Sequence, residues 1–187
     1  LRSVLLGTLV LASLAVEAAT PTVKTFGLGD VELLDSPFKQ AMERNAEYLL
    51  SLDADRLLHN TRKYAGMKPK GELYGGWESQ GIAGHTLGHY LTALSQQYAA
   101  THDARFKQRL GYIISEMAEA QRAYGDGYVG ALPEIELSTM RGFKQGKVEV
   151  KDAFFFKNGA WVPWYTQHKV LAGLRDAWTL GESAQAK

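Results

Sequence analysis

The stretch "IAGHTLGHYLTALSQQYAATHDARFKQRLGYIISEMAEAQRAY", residues 82–124, decides the fold because it holds two apolar stripes at helical spacing. The first predicts a helix over residues 82–100, and the second a helix capped by Asp103. Only a few residues link them, so we expect an antiparallel hairpin. The core residues predicted for this hairpin are Ala83, Leu87, Tyr90, Leu91, Leu94 and Tyr98 in the first helix, and Phe106, Leu110, Ile113, Ile114, Met117 and Tyr124 in the second.

The flanking sequence predicts further helices. Ser36 and Pro37 are typical of a helix N-cap and first position. A last helix is expected from about Trp164 to Leu180, with Leu171 and Trp178 on its core side. Between the hairpin and this helix, residues 128–162 suggest a small β-hairpin or a lid. Helix follows helix without βαβ alternation, which indicates an all-α fold and suits a helical toroid.

The N-terminus predicts export. Arg2 precedes an apolar run over residues 4–16 and small residues near Ala18, the layout of a secretory signal peptide over residues 1–18. The run is short for a membrane span, so we expect a secreted or periplasmic protein without a membrane anchor. Residues 19–35 form a lead-in, and "GESAQAK", residues 181–187, stops without a closing element, which suggests a truncated domain. The net charge of +1 gives no reason to expect nucleic acid as a partner.

His85 and His89 lie opposite the apolar stripe of their helix, on a polar face continued by Thr92 and Gln96. One interpretation is an ordinary solvated face. A second is a metal site, but Thr86 stands where the HExxH motif has glutamate, and no third ligand is evident. The third is one wall of a sugar pocket. This polar face carries no Lys, Arg, Asp or Glu, which favours a cavity over solvent.

Aromatic residues cluster beside these histidines in the sequence. Trp77 and Glu78 come just before the histidine helix, and Tyr165 and His168 lie at the start of the last helix, near Trp161 and Trp164. Aromatic rings stack on sugars while Glu, His and Gln bond hydroxyl groups, as in pockets that orient a ligand with few polar contacts. The alternative for each aromatic residue is core packing.

Three motifs carry a family resemblance: "ELYGGWES" with the histidine helix, "GDGYVGALPE", and "WVPWYTQHKVLAGLRDAW". Over residues 26–178 the chain resembles the N-terminal part of the β-L-arabinofuranosidases, glycoside hydrolase family 127, and their relatives in family 146. The resemblance implies an (α/α)6 barrel, present here only as its first helices over residues 36–187. It also implies retaining removal of β-linked L-arabinofuranose from plant glycans. The implied nucleophile is a zinc-bound cysteine, with a glutamate as acid/base.

The resemblance also suggests roles for residues of this chain. His168 matches a family histidine that touches the arabinose ring, and His89 matches the glycone pocket. With His85, Trp77, Glu78 and Tyr165 they form the predicted substrate-binding set. The chain has no cysteine, so the nucleophile and acid/base are expected beyond residue 187. We therefore predict no metal or cofactor in this chain, zinc in the full-length protein, and no activity for the isolated fragment.

Two other functions remain open at this point. One is a different carbohydrate enzyme on an α/α toroid, a lyase or epimerase that uses a histidine as acid/base catalyst. The other is a non-catalytic helical module that binds a glycan or a protein.

Overall fold

The computed structural model describes residues 23–187, so the predicted signal peptide lies outside the described residues. The described part is built from α-helices and contains no β-strand, which confirms the all-α class. None of its helices is long and apolar enough to cross a membrane. The helices are α1 Pro37–Ser51, α2 Ala54–Leu57, α3 His59–Tyr64, α4 His85–Thr101, α5 Ala104–Tyr124, α6 Glu134–Lys144 and α7 Pro163–Thr179.

The predicted hairpin is formed by α4 and α5, which are joined by His102 and Asp103. Asp103 caps α5, since its Oδ1 accepts a hydrogen bond from the Arg105 N–H at 2.9 Å. The predicted stripes of both helices are buried, apart from Tyr124, which is only partly buried. Ser36 likewise caps α1 as predicted, accepting from the Lys39 N–H.

Two glycines allow α4 and α7 to pack backbone against backbone. A Cβ on Gly88 would lie 2.2 Å from the Lys169 carbonyl oxygen, and one on Gly173 would lie 2.3 Å from the Gly88 carbonyl oxygen. Neither position has room for any side chain. The crossing fixes the rotation of α7, so that Val170 and Ala177 are buried with Gly173.

This rotation corrects the predicted core face of α7. Trp178 is 43% exposed and Leu171 is 54% exposed, although both were expected on the core side. They share a face that points away from the glycine crossing. The apolar pattern alone did not reveal this, because it contains no information on which side of α7 approaches α4 most closely.

Residues 128–162 also differ from the prediction. They contain α6, an unanticipated helix of 11 residues. The expected β-hairpin reduces to one isolated antiparallel bridge between Val150 and Phe156. The helix begins after Pro133, with Glu134 and Glu136 in its first turn, an arrangement that favours a helix start. The segment is therefore a helix followed by a looped excursion rather than one long loop.

Candidate functional site

His85 begins α4 and is held by the turn before it. The residue ahead, Gly84, has φ of +93°, a left-handed conformation that glycine adopts readily. The His85 Nδ1 atom lies 2.8 Å from the Ile82 carbonyl oxygen and 3.1 Å from Glu78 Oε1. Both neighbours are acceptors, so Nδ1 carries the proton. In the neutral ring, Nε2 is the acceptor nitrogen, and its neighbour in the protein is the Thr86 hydroxyl oxygen at 3.4 Å, a long contact that a ligand hydroxyl can replace.

Glu78 contacts His85 and holds the start of α4 in place. Its side chain is buried, and Oε2 accepts a hydrogen bond from the Gly84 N–H at 2.8 Å while Oε1 accepts one from the Thr86 N–H at 3.1 Å. A carboxylate there satisfies free amide groups and lies at the positive end of the α4 dipole. Glu78, a member of the predicted substrate-binding set, therefore lies against His85, and its carboxylate is hydrogen-bonded to the backbone at the start of α4.

His85, His89 and Tyr165 lie together across α4 and α7. The ring centroids of His85 and His89 are 6.2 Å apart, and those of His85 and Tyr165 are 6.1 Å apart. The pKa of His89 is lowered, first by desolvation and then by the positive charges of Lys169, His85 and His168. We call His85, His89, Tyr165 and His168 the histidine face. The glycine crossing sets the distance between the two helices that carry it.

Trp77, the residue before Glu78, belongs to a row of aromatic rings. It stands on a short 3₁₀ turn, Gly76–Ser79, and is 61% exposed. Its ring centroid is 6.5 Å from that of Trp161, which is 6.4 Å from that of Phe155. We call Trp77, Trp161 and Phe155 the aromatic row. Phe155 was missed because "KVEVKDAFFF" resembles a strand, and no sequence signal distinguishes it from its neighbours.

Glu136 is a further buried acid near the row that the sequence did not reveal. Its Oε1 accepts a hydrogen bond from the Trp161 N–H at 2.7 Å. Its Oε2 is buried without a hydrogen-bond partner among residues 23–187. Burial raises the pKa of this carboxyl group. In the sequence it looks like any acid in a first helical turn, since its burial follows from tertiary packing.

The zinc centre implied by the resemblance does not fit the residues of this chain. Thiolate ligands are absent because the sequence has no cysteine. Within residues 23–187, no group of three His, Asp or Glu side chains could hold a metal ion. The histidine face can instead offer hydrogen bonds and ring surfaces to a polar ligand.

Comparison with protein-family models gives a match to the β-L-arabinofuranosidase, GH127 catalytic domain, over residues 30–186. The matched part contains all six residues of the predicted substrate-binding set. No curated protein matches the chain significantly.

Proposed function

The chain belongs to the GH127 β-L-arabinofuranosidase family of glycoside hydrolases, and we propose that its histidine face binds the β-L-arabinofuranosyl unit that the parent enzyme removes from plant glycans. The main support for this proposal is that His85, His89 and Tyr165 come together from two helices, with ring centroids 6.1 to 6.2 Å apart. A neutral imidazole nitrogen accepts from a sugar hydroxyl, and an exposed phenol ring stacks or donates.

In this proposal, the groups of the chain bind and orient the sugar rather than cleave it. Nε2 of His85 accepts a hydroxyl hydrogen bond, because Nδ1 is committed to Ile82 and Glu78. Desolvation, together with the charge of nearby Lys169, lowers the pKa of His89 and so favours its neutral ring, which acts in the same way. His168, an exposed residue of α7 whose charge acts on His89, adds a further hydrogen-bonding group. Glu78 acts by holding His85 in place.

The nucleophile and the acid/base lie outside this chain in our proposal, because the retaining chemistry of the family uses a zinc-bound cysteine, and the chain has none. The isolated chain should therefore bind the sugar without hydrolysing it. Release of the aryl group from an aryl β-L-arabinofuranoside by this chain would contradict the assignment of a cysteine nucleophile.

A matched pair of variants tests the binding role. His168→Ala should weaken binding of methyl β-L-arabinofuranoside by about 3- to 10-fold, the effect of one lost hydrogen bond. His102→Asn is the control, since His102 lies in the turn between α4 and α5 with φ of +53°, a conformation that asparagine tolerates. Equal affinity of both variants and the unchanged chain would argue against the histidine face.

We also propose that the protein is exported, on the strength of Arg2 and the apolar run over residues 4–16. N-terminal sequencing of the secreted protein should then begin at Ala19. A mature protein that retains residues 1–18 would contradict export by this route.

A further inference from the structure

We propose that the aromatic row is a second sugar platform, which binds the unit next to the one held by the histidine face. This inference rests on the proposed function, because it requires a carbohydrate substrate of more than one unit. The ligand of the row is the neighbouring sugar of the same glycan, whose C–H face stacks on the rings.

The rings of the row lie close to parallel, and the two outer rings are exposed to solvent. The centroid separations within the row are 6.5 and 6.4 Å, with interplanar angles of 26° and 22°. Both separations lie within the range of interacting aromatic pairs, and the ring planes are close to parallel. Trp77 is 61% and Phe155 is 42% exposed. The two outer rings are therefore exposed to solvent, and Trp161 between them is partly buried.

The backbone under each ring is fixed by hydrogen bonds. The Trp161 N–H donates to buried Glu136, and the Phe155 N–H donates to Asp152 Oδ1 at 3.0 Å. Trp77 precedes Glu78, which is bound to the amide groups at the start of α4. A platform ordered before binding loses less conformational entropy when the ligand docks. Exposed aromatic rings on a fixed backbone suit recognition of a ligand.

The row and the histidine face are linked at two points of the chain, which argues for one ligand across both. Trp77 adjoins Glu78, whose Oε1 lies 3.1 Å from His85 Nδ1. Trp161 lies just before α7, which carries Tyr165 against His85. A glycan whose terminal unit is on the histidine face would thus extend over the row. A protein partner or another segment of this chain would cover the row without any dependence on sugar.

The experiment compares two probes, methyl β-L-arabinofuranoside and a β-linked L-arabinofuranosyl trisaccharide, titrated into the intact chain by NMR. The trisaccharide should bind about fivefold or more tightly than the single sugar, the scale of an aromatic stacking contact. Phe155→Ala should remove that advantage and leave binding of the single sugar unchanged. Phe155→Tyr should keep it, because the ring is retained.

Phe154→Ala is the matched control, since Phe154 is the adjacent residue, is 67% exposed and is outside the row. If Phe154→Ala and Phe155→Ala weakened trisaccharide binding equally, the proposed sugar platform would be wrong. A trisaccharide that binds no more tightly than the single sugar would also contradict the sugar platform. Binding of the single sugar would in that case still support the histidine face. If neither probe binds, both proposals fail. If Phe155→Ala does not fold, Trp161→Ala replaces it.

Discussion

At the scale of single residues, the position of His85 depends on Glu78. The buried carboxylate accepts hydrogen bonds from Gly84 and Thr86 and lies against the His85 ring. Hydrogen bonds to a charged group each contribute about 1.5 to 3 kcal/mol, and a buried donor left unpaired adds a penalty. Glu78→Ala should therefore lower the free energy of unfolding by about 2 to 4 kcal/mol, as measured in urea.

Glu78→Gln removes the negative charge of the side chain but keeps its size and shape. The amide oxygen can keep one hydrogen bond to the start of α4, so the loss should be smaller than with alanine. Ser79→Ala, at the next and exposed position of the same turn, serves as the control and should cost under about 0.5 kcal/mol. A Glu78→Ala variant as stable as Ser79→Ala would show that the carboxylate does not support α4.

The pKa of His89 is lowered chiefly by desolvation and further by its cationic neighbours. Lys169, His85 and His168 all oppose a positive charge on it. Lys169→Met should raise the pKa of His89, which is read from its imidazole proton signals during a pH titration. Sugar binding that needs neutral His89 should then begin to weaken at a higher pH as the solution is acidified. Arg175→Met, another cation on α7, should leave the pKa of His89 unchanged.

At the scale of elements, the crossing of α4 and α7 depends on the absence of side chains. A Cβ on Gly88 would lie 2.2 Å from the Lys169 carbonyl oxygen, so the helices would have to separate. Gly88→Ala should cost about 3 kcal/mol or more, at the upper end of overpacking effects. It should also weaken sugar binding, because α4 and α7 carry opposite sides of the histidine face.

Gly111→Ala is the control for this substitution. A Cβ on Gly111, inside α5, would have no neighbour within 4 Å. Its replacement should stabilise the protein by about 0.5 to 1 kcal/mol through helix propensity alone. If Gly88→Ala were also neutral or stabilising in urea unfolding, the close crossing would be wrong.

The elements show what the sequence could and could not predict. The α4–α5 hairpin followed from two apolar stripes, a short link and the Asp103 cap, all local features. Helix α6 was missed because its apolar residues are few and the charged surroundings resemble a loop. The outward position of Trp178 could not be predicted, because it depends on the pairing of Gly88 with Gly173. A glycine within a helix was nevertheless a signal of close packing.

The candidate site divides in the same way. The histidine face could be predicted because His85 and His89 occupy one side of a single helix, and because the motifs resemble those of a known family. The contacts of Trp161 with Phe155 and Glu136 depend on a looped segment whose path is set by tertiary packing. The predicted set therefore contained one member of the aromatic row, Trp77, and not the other two.

At the scale of the whole molecule, stability should respond to the ionisation of Glu136, which joins α6 to the backbone of Trp161. Its raised pKa means that the folded state favours the protonated acid. The resulting stability is present below the unfolded pKa, near 4.3 for a glutamate, and is lost as the pH rises through the folded pKa.

Glu136→Gln removes this ionisation. Relative to the unchanged chain, the variant should gain stability in urea unfolding as the pH rises above the unfolded pKa, near 4.3. Glu134→Gln, on the exposed side of the same helix, should show a smaller change with pH. A pH response of Glu136→Gln equal to that of the unchanged chain would mean that the buried acid does not titrate in this range.

Binding of the sugar by the histidine face can be tested directly, because the chain has five histidines and each gives its own imidazole signals. Three of them, His85, His89 and His168, are in the face, whereas His59 bonds the Gly71 carbonyl oxygen and His102 packs on Tyr98. The measurement is a titration of the intact chain with methyl β-L-arabinofuranoside, followed by the imidazole NMR signals. If the sugar binds at the histidine face, the signals of His85, His89 and His168 should shift and those of His59 and His102 should not. Shifts confined to His59 or His102, or no shifts at all, would contradict binding at this face.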